Sequence, residues 1–230
     1  MERVVVRKDE RIMTRLADEF EQLAAQLNSP APITMEIGKF TQACRLVSPL
    51  IRHLGVASKF ADIEYSAKVS VIEKAGKSVN TLEDSLDREI QQNTFKPHNS
   101  ASRSLIRVRR SLEMLKIIFE QTMASSYLLF YYHRFTVTYN LIFFSFLFFF
   151  YLGSEKSIMD PVKTAYNQVL YPYHGWALRK TFVGALHTLP TKSLFFKRVK
   201  LDGKTIQVCN SSLSYYPLPN QVSSRLAHTY

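Results

Sequence analysis

The sequence predicts an all-α fold, and three observations support this prediction. Apolar residues recur at spacings of three and four over most of the first two hundred positions, as they do along one face of an amphipathic helix. No stretch alternates apolar and polar residues convincingly in the way that a half-buried β-strand does. Stretches such as NSPAPI and FKPHNS separate the periodic segments, as loops between helices do. A chain of 230 residues has room for a substantial helical core.

The first two predicted helices each carry one apolar stripe, and the stretch NSPAPI at 28–33 separates them. The stripe of the first helix consists of Ile12, Leu16, Phe20, Leu23 and Leu27. The stripe of the second consists of Phe40, Cys44, Val47, Ile51 and Leu54. We therefore expect these ten side chains to face the core.

Three further helical segments are predicted beyond position 80. Thr81 and Asp84 resemble a capping box before a short helix, and FKPHNS at 95–100 is typical of a loop. The inward residues of the short helix are Leu82, Leu86 and Ile90, and those of the strong helix after the loop are Leu105, Val108, Leu112, Leu115 and Phe119. One more helix is predicted from after MDP at 159–161 to Leu189, where Pro190 interrupts it. From about Val199 onward the periodicity decays.

The composition indicates the compartment and the kind of partner. A net charge of +11 predicts attraction to anionic surfaces such as phosphate-bearing lipids or nucleic acids. Two cysteines, Cys44 and Cys209, are too few for a disulfide framework and fit a reducing compartment. The N-terminal stretch MERVVVRKDERIM carries charges throughout, unlike a secretory signal. These features together favour the cytosol.

The sequence offers no recognisable catalytic motif. Its six histidines are dispersed, and it has neither an HExxH pair nor a cysteine cluster nor a GxSxG elbow. We therefore expect no metal site, no catalytic residues and no cofactor, and we predict a binding protein rather than an enzyme. An active site of an unrecognised kind stays open as an alternative.

A cluster of arginines marks the strong helix. In SRSLIRVRRSL, Arg103, Arg107 and Arg110 are spaced by four and three, so they share a face roughly opposite the apolar stripe. One interpretation is a solvated basic face, and the other is an anion site. Guanidinium groups bind phosphate oxygens in pairs, and each charge-assisted hydrogen bond contributes about 1.5–3 kcal/mol when it is partly desolvated.

Two other fragments carry polar residues that have an ordinary structural interpretation on their own. In EYSAK, Glu64 and Lys68 are one helical turn apart, a spacing common in surface ion pairs. In YHGWALRK, the only tryptophan, Trp176, is typical of a core residue, and His174 is typical of a structural histidine with a hydrogen-bond partner.

Taken together and in order, these fragments resemble the glycolipid transfer protein family, especially its ceramide-1-phosphate-specific plant branch of the accelerated-cell-death type. The likeness runs through KFADIEYSAKV, SRSLIRVRRSLEMLKIIFEQ, DPVKTAYNQVLYPYHGWALRKTF and LPTK. It covers about 12–198, apart from one interruption. The resemblance implies a two-layer helical sandwich that holds one sphingolipid, with the headgroup at the surface and the chains in an apolar pocket between the layers.

The resemblance also implies roles for individual residues. Lys68, Arg103 and Arg107 would bind the lipid phosphate, and Arg110 would be an auxiliary contact at most. At the position of Arg107 the sugar-binding branch has a stacking tryptophan, so a guanidinium there favours phosphate over sugar. Glu64 stands where the family has an aspartate that accepts hydrogen bonds from the ceramide amide N–H and a nearby hydroxyl. Its extra methylene shifts the carboxylate by about 1 Å.

Two more residues take roles from the resemblance, and the family's activity follows from all of them. His174 would donate to the amide carbonyl, and Trp176 would support the site from beneath. The resemblance implies a monomeric cytosolic carrier that moves ceramide-1-phosphate or a related phosphosphingolipid and touches anionic membranes transiently. The alternatives are a sphingolipid sensor without transfer, a basic helical nucleic-acid-binding protein and an integral membrane protein. A nucleic acid is not the partner that the family likeness predicts.

The likeness is interrupted by a phenylalanine-rich segment at 127–152. It holds eight of the sixteen phenylalanines, and its last eighteen residues, 135–152, carry no charge, which is the lower limit for a membrane span. Its residues are those of thymine-rich codons, so we interpret it as a retained or mispredicted in-frame intron within a domain at 12–198. The tail at 199–230, with Pro217 and Pro219, does not supply the closing helix of the family.

Overall fold

The computed structural model describes residues 12–27, 34–97, 99–136 and 157–199, and all regular elements within them are helical. The helices are α1 Ile12–Leu27, α2 Ile37–His53, α3 Ser58–Ala75, α4 Leu82–Gln91, α5 Ala101–Thr136, α6 Met159–Val169, a 3₁₀ turn at Tyr171–Tyr173, α7 Trp176–Leu186 and α8 Lys192–Val199. The described residues up to Glu113, together with Val199, form one compact unit, and Met114–Arg198 form another. The all-α prediction is confirmed.

The core of the first unit begins with the predicted stripes of α1 and α2. In α1 the buried members are Leu16, Phe20 and Leu23. All five residues of the second stripe are buried, of which Leu54 directly follows α2. Each such side chain contributes about 1.5–3 kcal/mol by leaving water. Helix α2 packs against both α1 and α3, and Tyr65 Oη donates to the carbonyl oxygen of Cys44 over 3.0 Å. Cys44 is completely buried in the core, and this burial raises the pKa of its thiol to about 12.

The start of α4 confirms the predicted cap. Thr81 Oγ1 accepts a hydrogen bond from the backbone N–H of Asp84 over 3.1 Å. Leu82 and Leu86 are buried as predicted, but Ile90 is 41% exposed, so its assignment to the core was wrong. The reason is its place in the last turn of a ten-residue helix, which ends one residue later.

Helix α5 is the longest described element, with 36 residues. Its five predicted inward residues are all buried: Leu105, Val108, Leu112, Leu115 and Phe119. The helix continues to Thr136 and so includes the first ten positions of the phenylalanine-rich segment, whereas 137–152 lie outside the described residues. Among the helices that the structure describes, none combines the length and apolar character needed to cross a membrane. The tail after Val199 also lies outside the described residues, so the prediction about its helix stays untested.

The prediction of a single helix that continues to Leu189 is wrong. The chain instead forms α6, a 3₁₀ turn and α7. Pro172 lies in the 3₁₀ turn, where its ring removes an amide donor and disfavours helical backbone at the preceding residue. His174 and Gly175 are extended, with ψ of 132° and 168°. The break therefore places His174 in a short extended link rather than on the face of a continuous helix.

Candidate functional site

Three of the predicted site residues lie together in the first unit, between α3 and the first turns of α5. Arg107 Nη1 donates to Glu64 Oε1 over 3.0 Å. Lys68 Nζ lies 3.6 Å from the same carboxylate oxygen. A guanidinium and an ammonium from two helices thus converge on one carboxylate oxygen. Lys68 and Arg107 already hold an oxyanion between them.

The burial of Lys68 distinguishes this pair from an ordinary surface ion pair. Its side chain is only 7% exposed, whereas that of Glu64 is 61% exposed. A buried ammonium loses much of its hydration, and it is tolerated when an anion and further polar groups compensate for that loss. The predicted ion pair of Glu64 and Lys68 is present, but only its glutamate lies at the surface. Lys68 is a buried cation whose ammonium group faces the carboxylate of Glu64.

The arginine face of α5 is only partly solvated. Arg107 has 38% of its side chain exposed, and Arg103 is also half-buried. Arg103 Nη1 donates to the carbonyl oxygen of Lys96 over 2.8 Å, which holds this guanidinium against the loop before α5. Arg110 is half-buried, and its auxiliary role stays a prediction. The structure thus brings Glu64, Lys68 and Arg107 into contact, with Arg103 one turn away on the same helix.

An open groove lies beside this cluster. Its volume is about 730 Å³, and its walls include Lys68 and Lys74 of α3 and Asn99 and Ala101 at the start of α5. Its walls carry two lysines and the carboxylate of Glu89, so one positive charge is left in excess. An anionic group bound at Lys68 has open space beside it.

The start of α5 is capped by a carboxylate that was not predicted from the sequence. Glu89 of α4 accepts hydrogen bonds from the backbone N–H groups of Ala101 over 2.6 Å and Ser102 over 2.9 Å. It also accepts from Ser102 Oγ over 2.5 Å. These bonds satisfy donors at the start of α5 that have no partner within the helix. Glu89 lies twelve residues before the helix that it caps, so local spacing gave no signal of it.

A second missed carboxylate fixes α3 to α2. Asp62 is buried, and its Oδ1 accepts hydrogen bonds from the hydroxyl of Ser48 in α2 and from that of Ser66 over 3.4 Å. Arg52 Nε lies 3.7 Å from the other oxygen. Asp62 is two residues from Glu64, so the two acidic side chains leave α3 in different directions. The only signal in the sequence was the Asp–Ser spacing of four residues.

The remaining predicted residues belong to the second unit. Trp176 is 74% exposed, so its interpretation as a core residue was wrong. It is the first residue of α7, directly after the extended link, and this position keeps its indole in solvent. Its role beneath a bound lipid stays a prediction. His174 is half-buried, and its Nδ1 lies 3.1 Å from Tyr166 Oη. The expectation of a partnered histidine is confirmed.

Tyr166 was not among the predicted residues, but its surroundings fit a role in holding His174. Its ring is stacked on Phe182, with centroids 3.5 Å apart, and lies edge-on to Tyr171 at 6.3 Å. Burial raises the pKa of Tyr166 above its ordinary value, although Arg179 opposes the shift. The hydroxyl therefore stays protonated and is available to donate to Nδ1 of His174. In that arrangement the neutral imidazole carries its proton on Nε2.

We expect Tyr166→Phe to change the tautomer equilibrium of His174, because it removes the hydroxyl that favours an unprotonated Nδ1. The measurement is ¹⁵N NMR of histidine-labelled protein at pH 8, with the His174 signals assigned by their loss in His174→Gln. In the native protein Nδ1 should have the chemical shift of an acceptor nitrogen. In Tyr166→Phe it should move toward that of an N–H nitrogen. A native Nδ1 that already carries the proton would contradict the assignment.

Comparisons with known proteins agree with this architecture. Residues 35–201 match the family model described as "Glycolipid transfer protein (GLTP)". Accelerated cell death 11 of Arabidopsis thaliana is 33% identical over 190 residues, which are 83% of this chain and 79% of that protein. The crystal structure of a mutant of that Arabidopsis protein complexed with C12 ceramide-1-phosphate superposes with a TM-score of 0.76 at 30% identity, covering 95% of each chain.

A more distant structure shows that the fold persists at low identity. The apo-form of the mouse ceramide-1-phosphate transfer protein superposes with a TM-score of 0.69 at 15% identity, covering 94% of this chain and 95% of that one. The match of the family model covers more than half of the chain, and the helical architecture is the same. The chain belongs to the glycolipid transfer protein family.

Proposed function

We propose that this protein carries ceramide-1-phosphate or a related phosphosphingolipid between membranes, with the phosphate bound by Lys68, Arg103 and Arg107. The observation that supports this most directly is the convergence of Arg107 and Lys68, at 3.0 and 3.6 Å, on one carboxylate oxygen. A phosphate oxygen has the same charge character and prefers the same donors. The similarity to Arabidopsis accelerated cell death 11, whose mutant was crystallised with C12 ceramide-1-phosphate, supports the choice of lipid.

The remaining residues of the proposed site would bind the ceramide rather than the phosphate. Glu64 would accept from the amide N–H of the lipid, and His174 would donate to its carbonyl oxygen. Donation from Tyr166 Oη to Nδ1 would support this role, because the proton of the neutral His174 ring would then lie on Nε2. Trp176 would lie beneath the ceramide. No bond of the lipid is made or broken in this process.

The energetics of transfer require the protein to shield the lipid chains. Exposing a chain to water costs about 0.8 kcal/mol per CH₂, hence about 13 kcal/mol for sixteen carbons. An apolar interior offsets this cost during passage through the cytosol. The net charge of +11 supports transient docking of a monomer on anionic membranes.

The test of this proposal is vesicle-to-vesicle transfer of fluorescent ceramide-1-phosphate by the chain and by its Arg107→Ala variant. We expect the variant to be about 10- to 100-fold slower, because one half-exposed charge-assisted contact contributes about 1.5–3 kcal/mol. Arg109→Ala is the matched control, since Arg109 is an exposed arginine of the same helix. It should transfer the lipid at close to the native rate.

The assay is run on the chain as written and on a version lacking 127–152. Transfer by the shortened form, lost in Arg107→Ala, would support the phosphate site and show whether the segment matters. Extraction of the lipid without delivery to acceptor vesicles would indicate a sensor. Binding that falls steeply with salt but ignores lipid identity would indicate the nucleic-acid-binding alternative instead.

A further inference from the structure

The carboxylate of Glu64 is paired with two of the three cations that the proposed function assigns to the lipid phosphate. Its Oε1 is 3.0 Å from Arg107 Nη1 and 3.6 Å from Lys68 Nζ. We propose that Glu64 is a selectivity gate. It is an internal anion that a bound phosphate must displace, and only a phosphosphingolipid gives the displaced carboxylate a new hydrogen bond. This inference rests on the proposed phosphate site.

The geometry makes the competition direct. Both cations meet the same carboxylate oxygen, so a phosphate oxygen placed between them would coincide with it. The side chain of Glu64 is 61% exposed, which leaves it free to rotate away from Arg107 into solvent. The lysine is buried and has little freedom of its own. The carboxylate is therefore the group that must move.

What Glu64 gains after its displacement depends on the ligand. A sphingolipid carries an amide N–H beside its phosphate, and the displaced carboxylate would accept a hydrogen bond from it. Inorganic phosphate and phosphatidic acid carry no amide, so they displace Glu64 without giving it a new donor. When a phosphosphingolipid binds, its amide N–H thus compensates Glu64 for the lost contact with Arg107. When another phosphate binds, the contact is lost without compensation. Glu64 would select against phosphates that lack an amide.

The experiment measures equilibrium binding of three probes to the full chain: short-chain ceramide-1-phosphate, short-chain phosphatidic acid and inorganic phosphate. The variants are Glu64→Gln, Glu64→Asp and Arg107→Ala. Glu73→Gln is the matched control, because it removes the same charge from another half-exposed glutamate of α3, which pairs with Arg45 away from the cluster. All four differ from the native chain at one position.

We expect Glu64→Gln to bind phosphatidic acid and inorganic phosphate about five- to tenfold more tightly, as the loss of a competing partly exposed ion pair predicts. Its affinity for ceramide-1-phosphate should change by no more than about twofold, because the gain from losing the competing ion pair is offset by the weaker hydrogen bond that a neutral amide oxygen makes with the lipid N–H. The preference for the sphingolipid should therefore fall. Glu64→Asp should show a smaller change in the same direction, since its carboxylate is one methylene shorter.

The outcomes separate this inference from the proposed function. An unchanged preference in Glu64→Gln, or an equal change in Glu73→Gln, would overturn the gate while a strong effect of Arg107→Ala still supported the phosphate site. If no protein binds any of the probes and Arg107→Ala has no effect, the phosphate site and the gate are both wrong. A fall in preference confined to the two Glu64 variants would support both.

Discussion

Lys68→Met is expected to slow ceramide-1-phosphate transfer by about 100- to 1,000-fold, more than any other single change in the proposed site. The reason is burial. The side chain of Lys68 is 7% exposed and that of Arg107 is 38% exposed, so solvent screens the charge of Lys68 far less. Losing a buried charged partner typically costs about 3–4 kcal/mol of binding free energy, and each 1.4 kcal/mol is tenfold. Methionine keeps the length and apolar stem of the side chain.

The stability of the variant should change little, which separates a binding defect from unfolding. Glu64, the ion-pair partner of Lys68, is largely exposed and keeps both water and Arg107 after the substitution. Thermal unfolding followed by circular dichroism should therefore resemble that of the native chain. Lys77→Met, at an exposed lysine just after α3, is the control for net charge and should transfer normally. Transfer by Lys68→Met within threefold of the native rate would contradict the assignment of Lys68 to the phosphate.

The same variant should leave binding of a ceramide without phosphate unchanged, since the lysine has no other assigned contact with the lipid. Binding of both lipids lost to the same extent would indicate a collapsed pocket instead. The comparison of the two lipids is therefore part of the measurement.

The helices were predictable where a single period governs a long segment. The stripe from Leu105 to Phe119 is buried throughout, because a helix in contact with a core must place every third or fourth residue there. The period alone could not locate the break after α6. Apolar and aromatic residues continue through Pro172 and Gly175, and the backbone restrictions of these two residues outweigh the pattern. The predicted burial of Ile90 was wrong for a similar reason, since α4 ends before its stripe is completed.

The site was predictable only to the level of residue types and their order. Spacing along α3 and α5 placed Glu64 beside Lys68 and Arg103 beside Arg107. It could not show that Glu64 meets Arg107, because that contact joins residues 43 positions apart. The burial of Lys68 also depends on neighbouring helices, and a spacing of four residues is equally common at the surface. Tyr166 was missed because the 3₁₀ turn, rather than a continuous helix, turns His174 back toward it.

Glu89→Ala is expected to lower the free energy of unfolding by about 2–3 kcal/mol, the largest stability effect that a polar side chain of the site region should show. Its carboxylate accepts from two backbone N–H groups and one hydroxyl at the start of α5, at 2.5–2.9 Å. Loss of an N-terminal cap costs up to about 2 kcal/mol, and a negative charge at that end adds about 0.3–1 kcal/mol. The affected donors lie at Ala101 and Ser102, immediately before Arg103, so the start of the arginine face should fray.

Urea unfolding followed by circular dichroism measures the loss, and Glu89→Gln and Glu73→Ala serve as controls. Glutamine keeps one acceptor oxygen but no charge, so it should lose about half as much, following the difference between neutral and charged hydrogen bonds. Glu73 belongs to an exposed ion pair, whose removal should cost less than about 1 kcal/mol. Amide exchange should quicken at Ala101 and Ser102 in Glu89→Ala. Equal losses in Glu89→Ala and Glu73→Ala would show that the cap does not hold α5. The position of Arg103 and Arg107 against Lys68 would then depend on the apolar stripe of that helix alone.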